Sequence, residues 1–123
     1  MSKNKKIGQR GEDIACFWLK NKGFKIKERN YNALPYGEID IIAEKGSYLI
    51  FFEVKAGYRP TADFRPEIRI NKDKKESLKK ACEVYLSRNN IPLDSSWQID
   101  ILAVEINSDK KAKIRHFENA VKC

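Results

Sequence analysis

The sequence predicts an α/β fold in which a mixed central sheet is flanked by helices, and two observations lead to this prediction. Segments 7–22 and 71–89 repeat apolar residues at helical spacing, whereas the runs between and after them are typical of strands. The resulting order is helix, three strands, helix and one or two further strands. Short connections favour an antiparallel meander for the first three strands. The second helix then permits a parallel pairing.

The first predicted helix spans 7–22 and is expected to end at Gly23, a residue that commonly closes helices. Gly8 and Gly11 would let the start of this helix approach another backbone closely. Its largely apolar stripe consists of Ile7, Gly11, Ile14, Ala15, Trp18 and Lys22. Glu12 lies at the edge of the stripe. It either reaches a site at the sheet or stabilises the first helical turn by its charge.

The first strand is predicted at 24–28, where apolar and charged residues alternate, and 29–36 is predicted to be a loop broken by Pro35. Arg29 opens this loop. It is a candidate contact for a phosphate group, and pairing with a surface acid is the equal alternative.

The stretch 36–55 predicts a β-hairpin, because two apolar runs meet at a short turn that contains a glycine. Side chains alternate between the faces of a strand, so Glu38 and Asp40 share a face of the first run. Glu53 and Lys55 share a face of the second run for the same reason. Folding the hairpin is expected to bring Asp40 and Glu53 side by side, with Lys55 next to them.

Such a cluster is costly unless it is used, because buried carboxylates lose hydration and repel each other. A divalent cation removes both penalties, and Mg²⁺ needs only one or two carboxylates. A lysine beside such a site can orient a water molecule or neutralise developing charge. The alternative is that the acids are ordinary polar strand ends, with Glu53 and Lys55 forming a solvated ion pair. Because Asp40, Glu53 and Lys55 occur together among apolar residues, the sequence favours a site.

Three motifs carry a resemblance to a known family: GE at 11–12, GEIDIIA at 37–43 and FEVK at 52–55. An acid followed about a dozen residues later by Glu-x-Lys resembles the PD-(D/E)xK nuclease superfamily. The combined motifs are more narrowly similar to the YraN family of predicted bacterial endonucleases, which is distantly related to archaeal Holliday-junction resolvases. The resemblance covers residues 8–104, and the three motifs together are fairly specific.

The resemblance implies a restriction-endonuclease-like αβββαβ core and a metal site that cleaves DNA phosphodiester bonds. Asp40 and Glu53 would bind Mg²⁺ or Mn²⁺, helped by Glu12 and the backbone carbonyl of Val54. Lys55 would position a water molecule or act on it. Where relatives carry an arginine two residues after this lysine, the chain has a glycine, which leaves the activity of the site open.

The loop 56–66 is unusual, with two prolines, two arginines and two aromatic residues. Long loops of this kind are often functional or disordered, and this one begins where the predicted site ends. Arg59 and Arg65 are therefore candidate DNA contacts. Whether Arg59 replaces the arginine of the relatives stays open.

The second predicted helix, 71–89, has lysines crowded into its first half, where cations oppose the helix dipole. A phosphate partner is one reason to keep them, and solubility is the other. The candidates for DNA binding are Lys72, Lys74 and Lys75, and spacing does not choose which of them faces the site. Its predicted apolar stripe consists of Leu78, Ala81, Cys82 and Tyr85, with Leu86 beside it.

The last part of the chain predicts a strand over Trp97–Ile106 and a short edge strand over 113–117, followed by a polar end. Asp100 is expected to be structural, pairing with a basic residue of a helix. His116 is expected to lie on the surface.

Charge is unevenly distributed along a chain with a formal net charge of +8. Residues 1–36 carry nine Lys/Arg against three Asp/Glu, and 56–90 carry nine against five. The hairpin 37–55 carries two against four. Basic flanks around an acidic centre favour nucleic acid, most readily DNA, as the partner.

The chain fits one nuclease-like domain, 1–123. Three scattered cysteines without metal-type spacing indicate reduced thiols and argue against zinc. No apolar run is long enough to span a bilayer, and no apolar signal core follows the basic start, so a cytoplasmic protein is expected.

The sequence therefore predicts a metal-dependent endonuclease that cleaves DNA, including branched or otherwise structured DNA. The alternative is a non-catalytic nucleic-acid-binding module with a nuclease-like fold. A junction resolvase proper would add a symmetric homodimer, so that two sites cut two strands.

Overall fold

A computed structural model describes residues 2–58, 71–107 and 111–121, which form two helices and one five-stranded mixed sheet. This mixed α/β architecture confirms the predicted fold class and is consistent with a restriction-endonuclease-like core. The elements in chain order are α1 (Ser2–Asn21), β1 (Lys25–Asn32), β2 (Glu38–Lys45), β3 (Tyr48–Tyr58), α2 (Lys72–Arg88), β4 (Trp97–Ile106) and β5 (Ala112–Val121).

The strands lie in the spatial order β1-β2-β3-β4-β5, so each strand neighbours the next along the chain. The first three form an antiparallel meander, β3 and β4 are parallel, and β5 returns antiparallel. Helix α2 makes the crossover that a parallel pair requires. The predicted hairpin is confirmed, with Lys45 opposite Tyr48 and Gly46 at a φ of 62° in the turn between them.

Two apolar cores lie on opposite faces of the sheet, because neighbouring strand residues point to opposite sides. Phe51 packs with the buried face of α2, whereas Phe52 packs with Ala15 and Leu19 of α1. The buried stripe of α2 is the predicted one: Leu78, Ala81, Cys82, Tyr85 and Leu86. The sheet is thus held between the two helices.

Helix α1 begins at Ser2, five residues earlier than predicted, and its end is closed as expected by Gly23 at a φ of 94°. The N–H groups of Gly23 and Phe24 donate to the carbonyls of Lys20 and Leu19, which is the Schellman arrangement. The prediction of a close approach holds for Gly11, where an added Cβ would overlap the Cβ of Ala56 on β3. It is wrong for Gly8, where a Cβ would meet no atom of the described residues within 4 Å.

Strand β1 is longer than predicted, because residues 29–32 continue the strand instead of forming a loop. Pairing with β2 supplies backbone partners as far as Asn32 opposite Glu38, and Asn30 tolerates the left-handed φ of 50° that this path requires. Strand β5 also exceeds the predicted 113–117: it runs from Ala112 to Val121, whose side chain is buried.

Helix α2 agrees with the predicted bounds. Its N-cap is Asn71, whose side-chain oxygen accepts the N–H of Lys74 at 2.8 Å, and Asn89 follows its last turn. Among the described residues, neither helix is long and apolar enough to cross a membrane. Cys16 and Cys82 are buried in the two cores.

Candidate metal centre at the split of β2 and β3

The predicted site lies where β2 and β3 part. Their ladder ends at the pair Ile41 and Phe52. Beyond this pair β2 stays bound to β1, while β3 continues beside β4. Asp40 sits in the opening, and its Oδ2 accepts the backbone N–H of Val54 at 2.8 Å. The carboxylate oxygen thus accepts an N–H of β3 that a backbone carbonyl of β2 would accept if the ladder continued.

Asp40 and Glu53 are direct neighbours, as the hairpin predicted. Burial raises the pKa of Asp40 to about 7, and the negative charge of Glu53 is the next largest cause. The Val54 N–H opposes this rise, and Glu12 adds to it. Asp40 therefore holds a proton close to neutral pH. Two neighbouring acids with so few donors around them form a site that favours a cation.

Helix α1 brings Glu12 to the same region. The contact of Gly11 with Ala56 sets the helix close to β3, two residues beyond Val54 along the strand. The Glu12 side chain is 16% exposed, and burial raises its pKa against a hydrogen bond from Asn30 and the charge of Arg29. Because α1 begins at Ser2, Glu12 lies in the middle of the helix, and the alternative that it stabilises the first helical turn is wrong. Its side chain is held by Asn30 of β1 and is electrostatically coupled to Asp40.

A polar groove of about 710 Å³ lies between α1 and the strands β1 and β2, with Glu12 in its wall. Glu38 borders it and raises the pKa of Glu12, so Glu38 faces Glu12 across the groove. The lining residues are Gly8, Gln9, Glu12, Asp13, Arg29, Asn30 and Glu38. Of the acidic centre, Glu12 lines the groove, whereas Asp40 and Glu53 do not.

Helix α2 reaches the site from the other face of the sheet. Lys74 Nζ lies 3.6 Å from Glu53 Oε2, which decides among the three lysines that spacing could not separate. Lys72 and Lys75 are exposed on the same turn of the helix. Lys55 is partly buried. It shares the face of Glu53 because β3 keeps a regular register with β4 through both residues.

Arg29 is engaged within the protein. Its Nη2 donates to Asp13 Oδ1 at 2.7 Å and lies 4.0 Å from Glu12 Oε1, which matches the alternative of pairing with an acid. The pairing still leaves its side chain 36% exposed at the groove. Arg59 and Arg65, the two predicted DNA contacts in the loop after β3, lie outside the described residues.

The donor chemistry at the split fits a hard divalent cation: two neighbouring carboxylates, the Val54 backbone and a nearby third acid. Within 2–58, 71–107 and 111–121, no three acidic, histidine or cysteine side chains converge as a ready-made metal cage. Mg²⁺ is commonly held by one or two carboxylates and completes its coordination shell with water. Asp40 and Glu53 therefore supply enough carboxylate ligands for this ion.

Two features of the site escaped the sequence patterns. Asn30 bonds Glu12 from a left-handed backbone position, and the tolerance of asparagine for this conformation was the available signal. The expected structural role of Asp100 agrees with its three hydrogen bonds, but the predicted helix partner of Asp100 and the predicted surface position of His116 were wrong. Asp100 bonds His116 of β5 at 2.7 Å instead of a helix residue, and the imidazole is only 19% exposed. The antiparallel pairing of β4 with β5 causes this contact.

The geometry defines a mixed α/β protein with an acidic centre at the point where two central strands separate. Comparison with known proteins finds relatives over almost the whole chain. Residues 11–104 match the uncharacterised protein family UPF0102. The chain is 36% identical over 118 residues to a UPF0102 protein of Carboxydothermus hydrogenoformans, covering 95% of this chain and 96% of the relative.

Two further relatives are similar over comparable lengths. The chain is 40% identical to a UPF0102 protein of Dictyoglomus thermophilum, covering 94% of this chain and 93% of the relative. It is 40% identical to a UPF0102 protein of Alkaliphilus oremlandii, covering 95% and 98%. The chain therefore belongs to the UPF0102 family, and the matched range, 11–104, includes Glu12 of α1 and the hairpin that carries Asp40 and Glu53.

Proposed function

We propose that the protein is a metal-dependent endonuclease that hydrolyses DNA phosphodiester bonds. The observation that carries the proposal is the pairing of Asp40 with Glu53 at the end of the β2–β3 ladder, where burial and mutual repulsion raise the pKa of Asp40 to about 7. A structural carboxylate is normally placed among donors, whereas this pair gains most from a cation.

Asp40 and Glu53 would hold Mg²⁺ or Mn²⁺, with the Val54 carbonyl and Glu12 as further oxygen donors. A bound divalent cation supplies charge neutralisation at phosphate and an activated water. The hydrogen bond from the Val54 N–H keeps Asp40 Oδ2 oriented, so the second carboxylate oxygen is left to bind the ion. Glu12 is steadied by Asn30 and is the acid on α1 that would orient water at this centre.

Two lysines would complete the chemistry from the α2 side. Lys55 shares a strand face with Glu53 and would hold or deprotonate the attacking water. Lys74 neutralises Glu53 at 3.6 Å, and its ammonium would turn to a phosphate oxygen when the cation takes over Glu53. DNA would be drawn in by the basic flanks of the chain, with Lys72 and Lys75 next to the site and Arg59 and Arg65 in the following loop as phosphate contacts.

The test is cleavage of nicked, branched and linear DNA with Mg²⁺ or Mn²⁺ by the wild type and by Asp40→Asn and Glu53→Gln. We expect each variant to lose cleavage by about 100-fold or more, the size expected for groups that stabilise charge in the transition state. DNA binding should change little. Asp94→Asn, which removes an exposed acid from the loop before β4, is the matched control and should cleave normally.

The result that would overturn the proposal is cleavage by both variants at the wild-type rate. DNA binding without cleavage by the wild type in either metal would instead favour the alternative, a non-catalytic module with a nuclease-like fold. Two further measurements identify the substrate class: the preference among DNA structures and the mass of the protein in solution. Preference for four-way junctions together with a dimeric mass would identify a junction resolvase, because a symmetric pair of sites cuts two strands.

A further inference from the structure

A second cavity lies at the opposite ends of the same strands. It measures about 580 Å³, within the range of small-molecule sites, and opens beside the last turn of α1. Its walls include the rings of Trp18, Phe24, Tyr48 and His116. Tyr48 is 49% exposed, so its ring is accessible from solvent. The cavity is therefore an accessible pocket with aromatic walls.

One side of this pocket is cationic. Lys22 Nζ lies 5.3 Å from the centre of the Trp18 ring, and Lys45 Nζ lies 4.7 Å from the centre of the Phe24 ring. Both lysines are exposed and line the cavity. A planar group that stacks on these rings would thus carry any attached anion directly beside two ammonium groups.

The other side of the pocket carries acceptors. Asp100 is fully buried and receives hydrogen bonds from Gln98, His116 and the backbone N–H of Asn119 at 2.7–2.8 Å. These bonds fix the Gln98 amide with its nitrogen turned to Asp100, so its oxygen remains as an acceptor. Glu118 adds an exposed carboxylate to the same wall. A ligand with N–H donors on one edge and negative charge on the other matches this polarity.

We propose that this pocket binds an unpaired nucleotide, with its base against the aromatic rings and its phosphate at Lys22 and Lys45. Base stacking supplies affinity that tolerates sequence, while Gln98 and Glu118 favour bases with exocyclic amino groups. The ligand is either a free mononucleotide or an unpaired residue at the end of a nucleic-acid strand. The binding is separate from hydrolysis, since no residue of the acidic centre lines the cavity.

The first test is calorimetry of the full chain, without divalent metal, using AMP, CMP and UMP beside ribose 5-phosphate and inorganic phosphate. We expect AMP and CMP to bind at least about tenfold more tightly than either base-free probe. Equal binding of inorganic phosphate and AMP would overturn the proposal, because it would reduce the pocket to a general anion site. A DNA duplex with a one-nucleotide overhang, compared with its blunt form, then distinguishes a strand end from a free nucleotide.

The second test uses surface variants that spare both cores. Lys22→Glu with Lys45→Glu should weaken AMP binding by about tenfold or more, and Tyr48→Ser should weaken it severalfold. Lys20→Glu with Lys27→Glu is the matched control. It changes the net charge equally and also removes a lysine from the last turn of α1, but it lies outside the pocket. Equal loss in both charge pairs, or full AMP affinity in the pocket variants, would refute the site.

Discussion

Two aspartates of the same sheet show how differently a buried carboxylate can be used. Asp100, on β4, receives three hydrogen bonds from Gln98, His116 and the Asn119 backbone. Asp40, on β2, receives one from Val54 and faces Glu53. Burial does not identify the candidate metal ligand, because Asp100 is fully buried and Asp40 only partly buried. The number of donors around each carboxylate does, because donors stabilise the charge that a metal would otherwise have to stabilise.

The largest expected difference concerns pH. Because the pKa of Asp40 is raised from 3.8 to about 7, the folded chain binds more protons than the unfolded chain between these values. The contribution of Asp40 to stability is therefore full below pH 4 and is lost as the pH rises toward 7. Relative to Asp40→Asn, the wild type should lose up to about 4 kcal/mol across this window. Urea unfolding at several pH values measures it, and a constant difference would contradict the assignment.

The next largest effect belongs to Asp100. Asp100→Ala leaves three part-buried donors without their acceptor, so we expect the free energy of unfolding to fall by about 3 kcal/mol. At pH 7, Asp40→Asn should increase it, because the variant removes the repulsion with Glu53. Asp94→Ala, at an exposed loop position, provides the baseline. Equal costs at Asp40 and Asp100 would erase the contrast between the two carboxylates.

Metal binding should also distinguish Asp40 from Asp100. A cation that binds only the folded state stabilises it by about 2.7 kcal/mol at 100 times its Kd. We expect thermal unfolding of the wild type and of Asp100→Asn to shift upward with Mg²⁺ or Mn²⁺, from different starting points. Asp40→Asn should show no shift. A metal response that disappears in Asp100→Asn but persists in Asp40→Asn would place the ion elsewhere.

The smallest expected effect concerns Lys74. The ion pair with Glu53 is partly exposed and worth at most about 1 kcal/mol, so Lys74→Gln should tighten metal binding by up to about fivefold. DNA cleavage should nevertheless fall, because a cation near the phosphate is lost. Lys75→Gln has the same change in charge one residue away. Calorimetry with Mn²⁺ compares the two, and weaker metal binding in Lys74→Gln would show that the lysine supports the ion instead of competing with it.

Local patterns predicted most of the fold and the centre of the site. The period of two along the hairpin was enough to bring Asp40 and Glu53 together, and the helical stripe of α2 was correct residue by residue. What failed depended on how neighbouring strands pair. Residues 29–32 became strand because β2 offers them partners, and His116 left the surface because β5 lies against β4. The choice of Lys74 likewise required the packing of α2 on the sheet.

The geometry of the acidic centre depends on the volume of the residue at position 11, where Gly11 carries no charge. Since an added methyl group would occupy the space of the Ala56 Cβ, any larger residue must lift α1 from β3. The helix would carry Glu12 away from Asp40, although no charged group had been altered. The distance between Glu12 and Asp40 thus depends on a residue with no side chain. A single added carbon at position 11 would disturb the centre without altering any of its charged groups.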